Sequence, residues 1–493
     1  MDIEFDKPRC FCGIFGFYGA PDAAVNTYYG LHALQHRGQE ASGIITKSVN
    51  EKGHSVFNLH RGEGLVSEVF AKREVLREKL VGSSAIGHNR YSTTGSSDST
   101  KNIQPFFVNY RSGNLAIAHN GNLTNATELR ERLVNEGSIF QTTSDTEVIL
   151  HLIAKSKLDN QVDQVKEALS IIEGAYCLVI LMDDKIIAAR DPYGFRPLCL
   201  GKLNGSYVVA SETCALDIIS AKFIREIEPG ELIVIDDKSI SEDKIESHRI
   251  LDGTFPKKHC VFEHIYFSRP DSYIFGHNVD KMRRRLGKTL AKNHPAVDKD
   301  GDKLIVISVP DSSNTTALGY QKQLALDGIN SKLEIGLIRS HYIGRTFIQP
   351  GQQKREIGVR IKFNTVKGVL EGRTVVIVDD SIVRGTTSKQ LVSLVREANP
   401  KAIHLRISSP PIKFPCFYGM DFPSKKELIA NQCHGNIEEI REYLEVDSLE
   451  YLTIDEMLQA VSEGNEGNFC SACFSGEYPT EIDTSFTKDI YEL

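Results

Sequence analysis

No apolar stretch in these 493 residues is long enough to cross a bilayer. The longest runs, such as KLIVISVP and RTVVIVDD, fall far short of the roughly 20 residues that a helical span needs. Cationic excess is missing too. With 58 Lys and Arg against 65 Asp and Glu the chain carries a formal charge of -7, and no basic stripe offsets that balance, which argues against a nucleic-acid carrier. The opening MDIEFDKPRCF is acidic and polar. It has neither the apolar core of an export signal nor the basic character of a transit peptide, so the cytoplasm is the expected compartment and no membrane partner is expected. Ten cysteines in so long a chain are too sparse for a secreted disulfide scaffold, which turns attention to catalytic or metal-ligand roles. Tandem repeats and low-complexity tracts are absent as well. What is present, 41% hydrophobic and 25% charged residues, is the balance of a globular enzyme, and the length predicts two or three compact units.

The chain has two halves with different patterns. From residue 12 to about 235, short β-rich stretches (GIFGFYG, SAIGHNRY, NLAIAHNG, AYCLVILMDD, KIIAARD, SYVVASE, ELIVIDD) alternate with helical patterns, which predicts stacked sheets covered by helices. Residues 236–258 are charged and end in Gly and Pro, as a crossing between units does. Beyond them, KLIVISVPDSS, SKLEIGLIRS, RTVVIVDDS and AIHLRISSP read as buried strands alternating with helices, the pattern of a parallel α/β sheet.

The most informative rear stretch is RTVVIVDDSIVRGTTSKQLV, residues 373–392. An apolar strand ends on Asp379 and Asp380, and a turn through Ser381, Gly385, Thr386 and Thr387 opens a helix. In open parallel sheets ligands sit at the carboxyl ends of strands. A helix N-terminus offers unpaired N–H groups to a phosphate, and Gly385 lets backbone approach it. Two adjacent carboxylates repel a phosphate; they suit ribose hydroxyls or a Mg²⁺ ion. The bland alternative is a solvated strand end followed by a Thr-capped helix.

This stretch resembles the phosphoribosyl pyrophosphate (PRPP) signature of the type I phosphoribosyltransferases, an apolar run followed by D-D-x-x-x-x-G-x-T. The same resemblance implies a pyrophosphate loop in SVPDSSNTTALGY, 308–320, with Ser313 as a Mg²⁺ contact beside Asp379 and Asp380. It also implies a long basic lid over 339–364, whose bland reading is an ordinary solvated loop.

At the front, Cys12 in RCFCGIFGFYG is by its residues alone a packing residue, a metal ligand or a nucleophile. The Gly13, Gly16, Gly19 spacing lacks the G-x-G opening of a dinucleotide loop. A cysteine that became the first residue after processing would have its own α-amine, with an ordinary pKa near 8, as a base for its thiol. Residues 1–11 then read as a propeptide.

CGIFGFYG, LHALQHRGQEASGI, GHNRYSTTG, AHNGNLTN and TTSDTEVI together resemble the N-terminal-nucleophile glutamine amidotransferases. Joined to the PRPP half, the likeness covers nearly the whole chain and is similar to the glutamine PRPP amidotransferase family, which opens purine biosynthesis. The family's fold is then expected: an αββα sandwich over 12–245, followed by a parallel-sheet phosphoribosyltransferase unit and a C-terminal cluster-binding segment over 246–493. By that resemblance Cys12 is the nucleophile, and Cys10 has no role. The Asn120 side chain and Gly121 N–H form the oxyanion hole. Arg90 clamps the glutamine α-carboxylate, Asp145 accepts its α-amino group, and Arg37 supports the site. For any one of these alone, a salt bridge or a turn is the bland reading; the ordered set is what carries the assignment.

CSAC, Cys470 and Cys473, is by itself a redox pair, half a zinc site or two cluster ligands. Cys260 and Cys416 fall where cluster-bearing members of the family place their other ligands, so the resemblance implies a [4Fe-4S] cluster tying the chain's end to the junction. Cys177, Cys199, Cys214 and Cys433 are expected as packing. The implied activity takes ammonia from glutamine and places it on C1 of PRPP, with Mg²⁺, feedback by purine nucleotides and a homotetramer. Glutamine-dependent amination of a sugar phosphate needs an isomerase rear half, which VVIVDDSIVRGTT argues against. A PRPP-sensing repressor needs a DNA-binding element, and no basic helix-turn-helix stands out.

Overall fold

The computed structural model describes residues 12–91, 100–340, 362–420, 422 and 424–482. The propeptide reading of 1–11, Cys10, and residues 341–361 of the lid expected over 339–364 lie outside these residues.

Alternation along the front strands builds two stacked sheets. In Gly13–Tyr18, Ile14 and Tyr18 face one way and Phe15 and Phe17 the other. This strand is central to a seven-stranded antiparallel sheet in the order Lys222–Glu226, Cys199–Leu203, Ser206–Ala210, Gly13–Tyr18, Ser84–Arg90, Ala41–Val49, Ser55–Glu63. The second sheet has six antiparallel strands, from Glu246–Arg249 through Glu231–Asp236, Lys185–Arg190, Gly174–Met182 and Gly113–Leu123 to Phe106–Tyr110. Ile14, Ile45 and Ile86 of the first meet Ala116, Val179 and Ile233 of the second in one dry core. Helix Ala23–Ala33 covers the outer face of the first sheet, and Ala126–Asn135, Thr146–Lys155 and Gln161–Leu169 cover the second. This is the expected αββα sandwich.

The front sheet runs on through Arg249, past the expected boundary at 245. Glu246, Ser247, His248 and Arg249 pair with 231–234 as an edge strand. Edge strands carry charge because one side faces water, and so this one reads as loop in sequence.

The rear half holds a five-stranded all-parallel sheet in the order Ser331–Leu333, Leu304–Ser308, Thr374–Asp379, Ala402–Ile407, Ser448–Tyr451. Alternate residues of its strands enter two cores. Val306, Val376 and Val378 pack with helices Val279–Asn293 and Asn314–Leu326; Ile307, Val375 and Ile377 pack with Thr386–Arg396 and Ile437–Leu444. The stretch 331–340, read as one strand, splits in two. Its second part, Leu337–Arg339, leaves the sheet to pair with Phe363–Thr365. The break falls at Gly336, where a Cβ would lie 2.6 Å from Ile307 Cγ2 and 2.9 Å from Leu370 Cδ2. No helix among the described residues is long and apolar enough to cross a membrane.

The halves meet across buried charge. Arg37 donates to Glu212 through Nε and to Glu263 through Nη2 at 2.6 Å, and all three side chains are fully buried. Glu212 also accepts from Ser272 Oγ at 2.6 Å and from the Arg269 N–H at 2.9 Å, and Ser268 Oγ donates to Glu263 at 2.6 Å. Burial alone pushes the Glu212 carboxyl up, but Arg37 and His36 outweigh it and hold the carboxyl far below its usual range. Removing one partner of such a network strands the other charges, so Arg37→Met should cost about 3–5 kcal/mol, read as a lower thermal midpoint of the full chain. Because the Glu212 pKa is depressed by folding, its contribution is present above about pH 4.3 and is lost as pH falls below that value. Glu212→Gln should therefore flatten the acid-side fall in melting temperature, measured between about pH 5 and pH 3.

Candidate active site

Four motifs far apart in sequence converge on one pocket at the end of the front sandwich. Cys12, Arg90, Gly121 and Asp145 line it together with His88, Tyr91, Asn102, Gln104, His119 and Ser144. The convergence follows from the sheets. Gly13, directly after Cys12, pairs with Asn89, directly before Arg90. Gly121 sits near the end of Gly113–Leu123, and Asp145 caps helix Thr146–Lys155.

Burial pushes the Cys12 thiol up to about 11, with the Tyr91 backbone and Arg90 pulling the other way; Sγ lies 3.5 Å from the Tyr91 carbonyl oxygen. A neutral thiol at physiological pH needs a base beside it to act as a nucleophile. Asn120 is fully buried, and neither its Nδ2 nor its Oδ1 has a hydrogen-bond partner among the described residues. Leaving such groups unpaired costs on the order of 1–3 kcal/mol, which marks the amide as waiting for a ligand atom. Gly121, next along the strand, has φ +151°, and a Cβ there would lie 2.0 Å from the Ala175 carbonyl oxygen. Only glycine fits.

Asp145 is buried, and burial pushes its carboxyl up. His119, whose Nδ1 lies 3.7 Å away, and the Leu123 N–H at 3.0 Å outweigh this, and the carboxyl titrates below its ordinary value. His88 is driven down to about 3 by burial, so the neutral ring donates from Nε2 to the His119 carbonyl at 3.1 Å. Gln104 donates to Thr146 Oγ1 at 3.0 Å and accepts the His119 N–H at 2.8 Å, while Asn102 and Thr143 exchange two hydrogen bonds. These bonds fix the 142–145 turn. The sequence reading did not assign His88, Tyr91, Asn102, Gln104, His119 or Ser144 to the site. Four of them, His88, Tyr91, His119 and Ser144, lie inside the motifs already quoted, and that adjacency was the available signal. Arg37 lies outside the pocket, in the junction network, with its Cβ 3.6 Å from the position a Cβ on Gly13 would take.

The rear site forms where Thr374–Asp379 ends. Asp379, Asp380 and Ser381 are buried. Ser313 Oγ donates toward Asp379 at 3.0 Å and Asp380 at 3.2 Å; Ser312 and Ser381 each donate to Asp380 at 2.7 Å. Gly385, with φ +79°, caps helix Thr386–Arg396 and brings no side chain to its first-turn N–H groups. Thr387 is buried in that first turn and Thr386 is exposed. Ser312, not assigned from sequence, is thus as closely engaged as Ser313.

Cys260, Cys416, Cys470 and Cys473 line a single cavity, enclosed by Phe195, Arg196, Tyr418 and Tyr478. The two-residue strands His259–Cys260 and Phe469–Cys470 pair in parallel, with Cys260 directly opposite Cys470. Burial raises all four thiols, Cys260 to about 11. Cys177, Cys199 and Cys214 are buried in cores, as expected of packing residues, and Cys433 is partly buried.

Residues 88–217 match a family model described as a glutamine amidotransferase domain. The chain is 48% identical over 481 residues to amidophosphoribosyltransferase 1, chloroplastic, of Arabidopsis thaliana, covering 97% of this chain and 80% of that one. It is 46% identical over 475 residues to the amidophosphoribosyltransferase of Bacillus subtilis, covering 96% and 94%. The solved glutamine PRPP amidotransferase from B. subtilis, complexed with ADP and GMP, superposes with a TM-score of 0.86 at 45% identity, covering 97% of this chain and 99% of that one.

The electrostatics of Cys12 give a direct test. With the thiol held near 11, its thiolate is fewer than about one in a thousand at pH 8 and grows tenfold per pH unit. In chain that still carries Phe11, iodoacetamide should therefore label Cys12 about ten times faster for each unit of pH from about 8 to about 10. Peptide mass analysis of timed aliquots reads the rate, and a plateau beginning near pH 8 would contradict the buried, neutral thiol.

Proposed function

The chain belongs to the amidophosphoribosyltransferase family, and from that premise we propose how its residues divide the reaction between two sites. The enzyme takes ammonia from glutamine and places it on C1 of PRPP, giving 5-phosphoribosylamine, glutamate and pyrophosphate in purine biosynthesis. The observation that carries the division of roles is the unpartnered Asn120 amide, adjacent on its strand to Gly121, which shares one pocket with Cys12, Arg90 and Asp145.

In the front pocket Arg90 holds the glutamine α-carboxylate and Asp145 its α-ammonium group. With residues 1–11 removed, the Cys12 α-amine accepts the thiol proton, and sulfur adds to the amide carbon. The carbonyl oxygen takes the negative charge and is met by Asn120 Nδ2 and the Gly121 N–H. Collapse of this adduct returns the proton to the departing nitrogen, which leaves as ammonia. Water then cleaves the thioester, releasing glutamate and restoring the thiol.

At the rear, the first turn of Thr386–Arg396, with Ser381, Gly385, Thr386 and Thr387, receives the 5-phosphate of PRPP. Asp379 and Asp380 face its ribose. Ammonia bonds to C1 as the C1–O bond to pyrophosphate breaks, and the nitrogen sheds one proton. The all-oxygen set of Asp379, Asp380 and Ser313 fits Mg²⁺, which when bound neutralises charge on the leaving pyrophosphate. The hydroxyls of Ser312 and Ser313 orient the carboxylates for that task.

The four thiols fit an iron-sulfur cluster better than zinc. Tetrahedral zinc draws its sulfurs to about 3.8 Å apart. Among the described residues, the one group of three or more His, Cys, Asp or Glu whose ligand atoms all lie within 4.8 Å is Asp298, Asp300 and Asp302. A four-iron cube holds thiolates further apart, and the Tyr418 N–H, 3.4 Å from Cys416 Sγ, is the kind of donor that tunes cluster thiolates. The cluster would supply a cross-link between the chain's end and the junction. Such thiols need a reducing compartment, and we place the protein in the cytoplasm. Purine nucleotides as feedback inhibitors and a homotetrameric state complete the proposal; ADP and GMP in the B. subtilis relative support the first.

Two pairs of measurements test this. Cys12→Ala should abolish glutamine-dependent synthesis yet keep synthesis from added ammonium, whereas Asp379→Asn with Asp380→Asn should lose both while retaining slow hydrolysis of glutamine. Full glutamine-dependent activity in chain that still carries Phe11 would overturn the α-amine as base. For the cluster, anaerobically purified protein should hold about four iron and four sulfide per chain. Cys473→Ser should lose both and melt at a lower temperature; zinc without iron would refute the assignment.

A further inference from the structure

The oxyanion donor of the front pocket is braced from the rear half. Gly121 stands at the end of a front strand, yet the residue packed on its carbonyl side is Gly419, nearly three hundred positions away. A Cβ on Gly419 would lie 3.0 Å from the Gly121 carbonyl carbon, 3.1 Å from its oxygen and 3.4 Å from the Asn122 nitrogen. Gly419 itself has φ +95°, which side-chain-bearing residues rarely adopt. The same loop is fastened around this contact at three further points. Asn122 Nδ2 donates to the Phe417 carbonyl at 3.0 Å, Arg196 Nη2 donates to the Tyr418 carbonyl at 2.7 Å, and the Tyr418 ring stacks on Phe195 at 4.1 Å.

Gly121 is also closed in by the Ala175 carbonyl. The Gly121–Asn122 peptide therefore lies against two backbones, one from each half. A push from Gly419 cannot be relieved by retreat, so it turns the chain about Gly121 and re-aims the N–H of that residue. Donors in an oxyanion hole act only within a few tenths of an ångström of their place, and a misplacement of about 1 Å costs roughly a hundredfold in rate.

We infer that Gly419 and Asn122 are positioning residues for glutamine hydrolysis: the rear loop 416–420 sets the aim of the Gly121 N–H. This rests on the proposed role of Gly121 as oxyanion donor. It touches neither Cys12 nor the groups proposed to hold glutamine, so it predicts a loss confined to the transition state. Ground-state binding and the rear reaction should be spared.

The test uses full-length holoenzyme carrying Gly419→Ala, Asn122→Ser or Asn120→Ala. Each is assayed for glutamine-dependent and ammonium-dependent synthesis, and for binding of glutamate and of an aldehyde analogue of glutamine. That aldehyde accepts the Cys12 sulfur at its carbonyl carbon while the thiol proton ends on its oxygen, so its adduct occupies the oxyanion hole. For Gly419→Ala and Asn122→Ser we expect kcat with glutamine and affinity for the aldehyde to fall by about tenfold or more. KM for glutamine, affinity for glutamate and the ammonium-dependent rate should stay within about twofold, since no group that binds them is moved. Asn122→Ser shortens a side chain without adding bulk and carries the test alone if Gly419→Ala fails to fold. Equal loss of glutamine- and ammonium-dependent activity would overturn the inference, because the loop would then support the fold in general. Unchanged kcat and aldehyde affinity in both variants, with Asn120→Ala impaired, would overturn it while leaving the oxyanion hole in place. Unchanged values in Asn120→Ala as well would remove the hole's assignment and the inference with it.

Discussion

The junction network of Arg37, Glu212, Glu263 and Arg196 is the constraint under which the two halves fit together. Four charged side chains sit with no exposed surface, and a buried charge is tolerable only where its partners stand at hydrogen-bonding distance in the right directions. Apolar contacts at an interface permit sliding; this arrangement does not. Arg37 packs beside Gly13, next to Cys12, and Arg196 reaches both Glu263 and the Tyr418 carbonyl of the rear loop. The relative placement of the Cys12 pocket and the cysteine cavity is thus tied to one set of ionic distances. Within the rear half, Arg283 donates to the carbonyls of His264, Tyr266 and Ser268, which steadies the segment that carries Glu263.

Burial raises the thiols of Cys177, Cys199 and Cys214 as it raises that of Cys12, so burial does not single out a nucleophile. The difference lies in the neighbours. The three packing cysteines lie among the apolar side chains of the cores. Cys12 instead shares a pocket with a guanidinium, a carboxylate held ionised, and a backbone N–H at the end of a strand. What sets this pocket apart is the gathering of charged and polar groups around one buried thiol.

The αββα layering and the parallel rear sheet were legible in the sequence because period-two and continuous apolar runs report directly which faces are covered. The turn after Thr374–Asp379 and the front motifs could be picked out as candidates because each set is contiguous, and a local pattern can carry it. Less visible were groups that act by holding others. Gln104 matters through bonds to Thr146 and to the His119 N–H, and Ser312 through Asp380; a lone Gln or Ser carries no mark of such a partner. The strand 246–249 was hidden by its charge, and the split of 331–340 by an apolar pattern that continues across a change of partner. Gly419 belongs to the same class, since its contact with Gly121 exists only once both halves are folded.

The parallel pairing of His259–Cys260 with Phe469–Cys470 has a consequence for the order of events on the ribosome. The first strand of the rear half waits for a partner that is synthesised about two hundred residues later. The front sandwich has all of its strands once Arg249 has emerged, and it is free to fold while the rest is still being made. The rear half has no such option. Its cysteine cavity stays open until Cys473 leaves the exit tunnel, so the four thiols come together only after the late CSAC segment has been made.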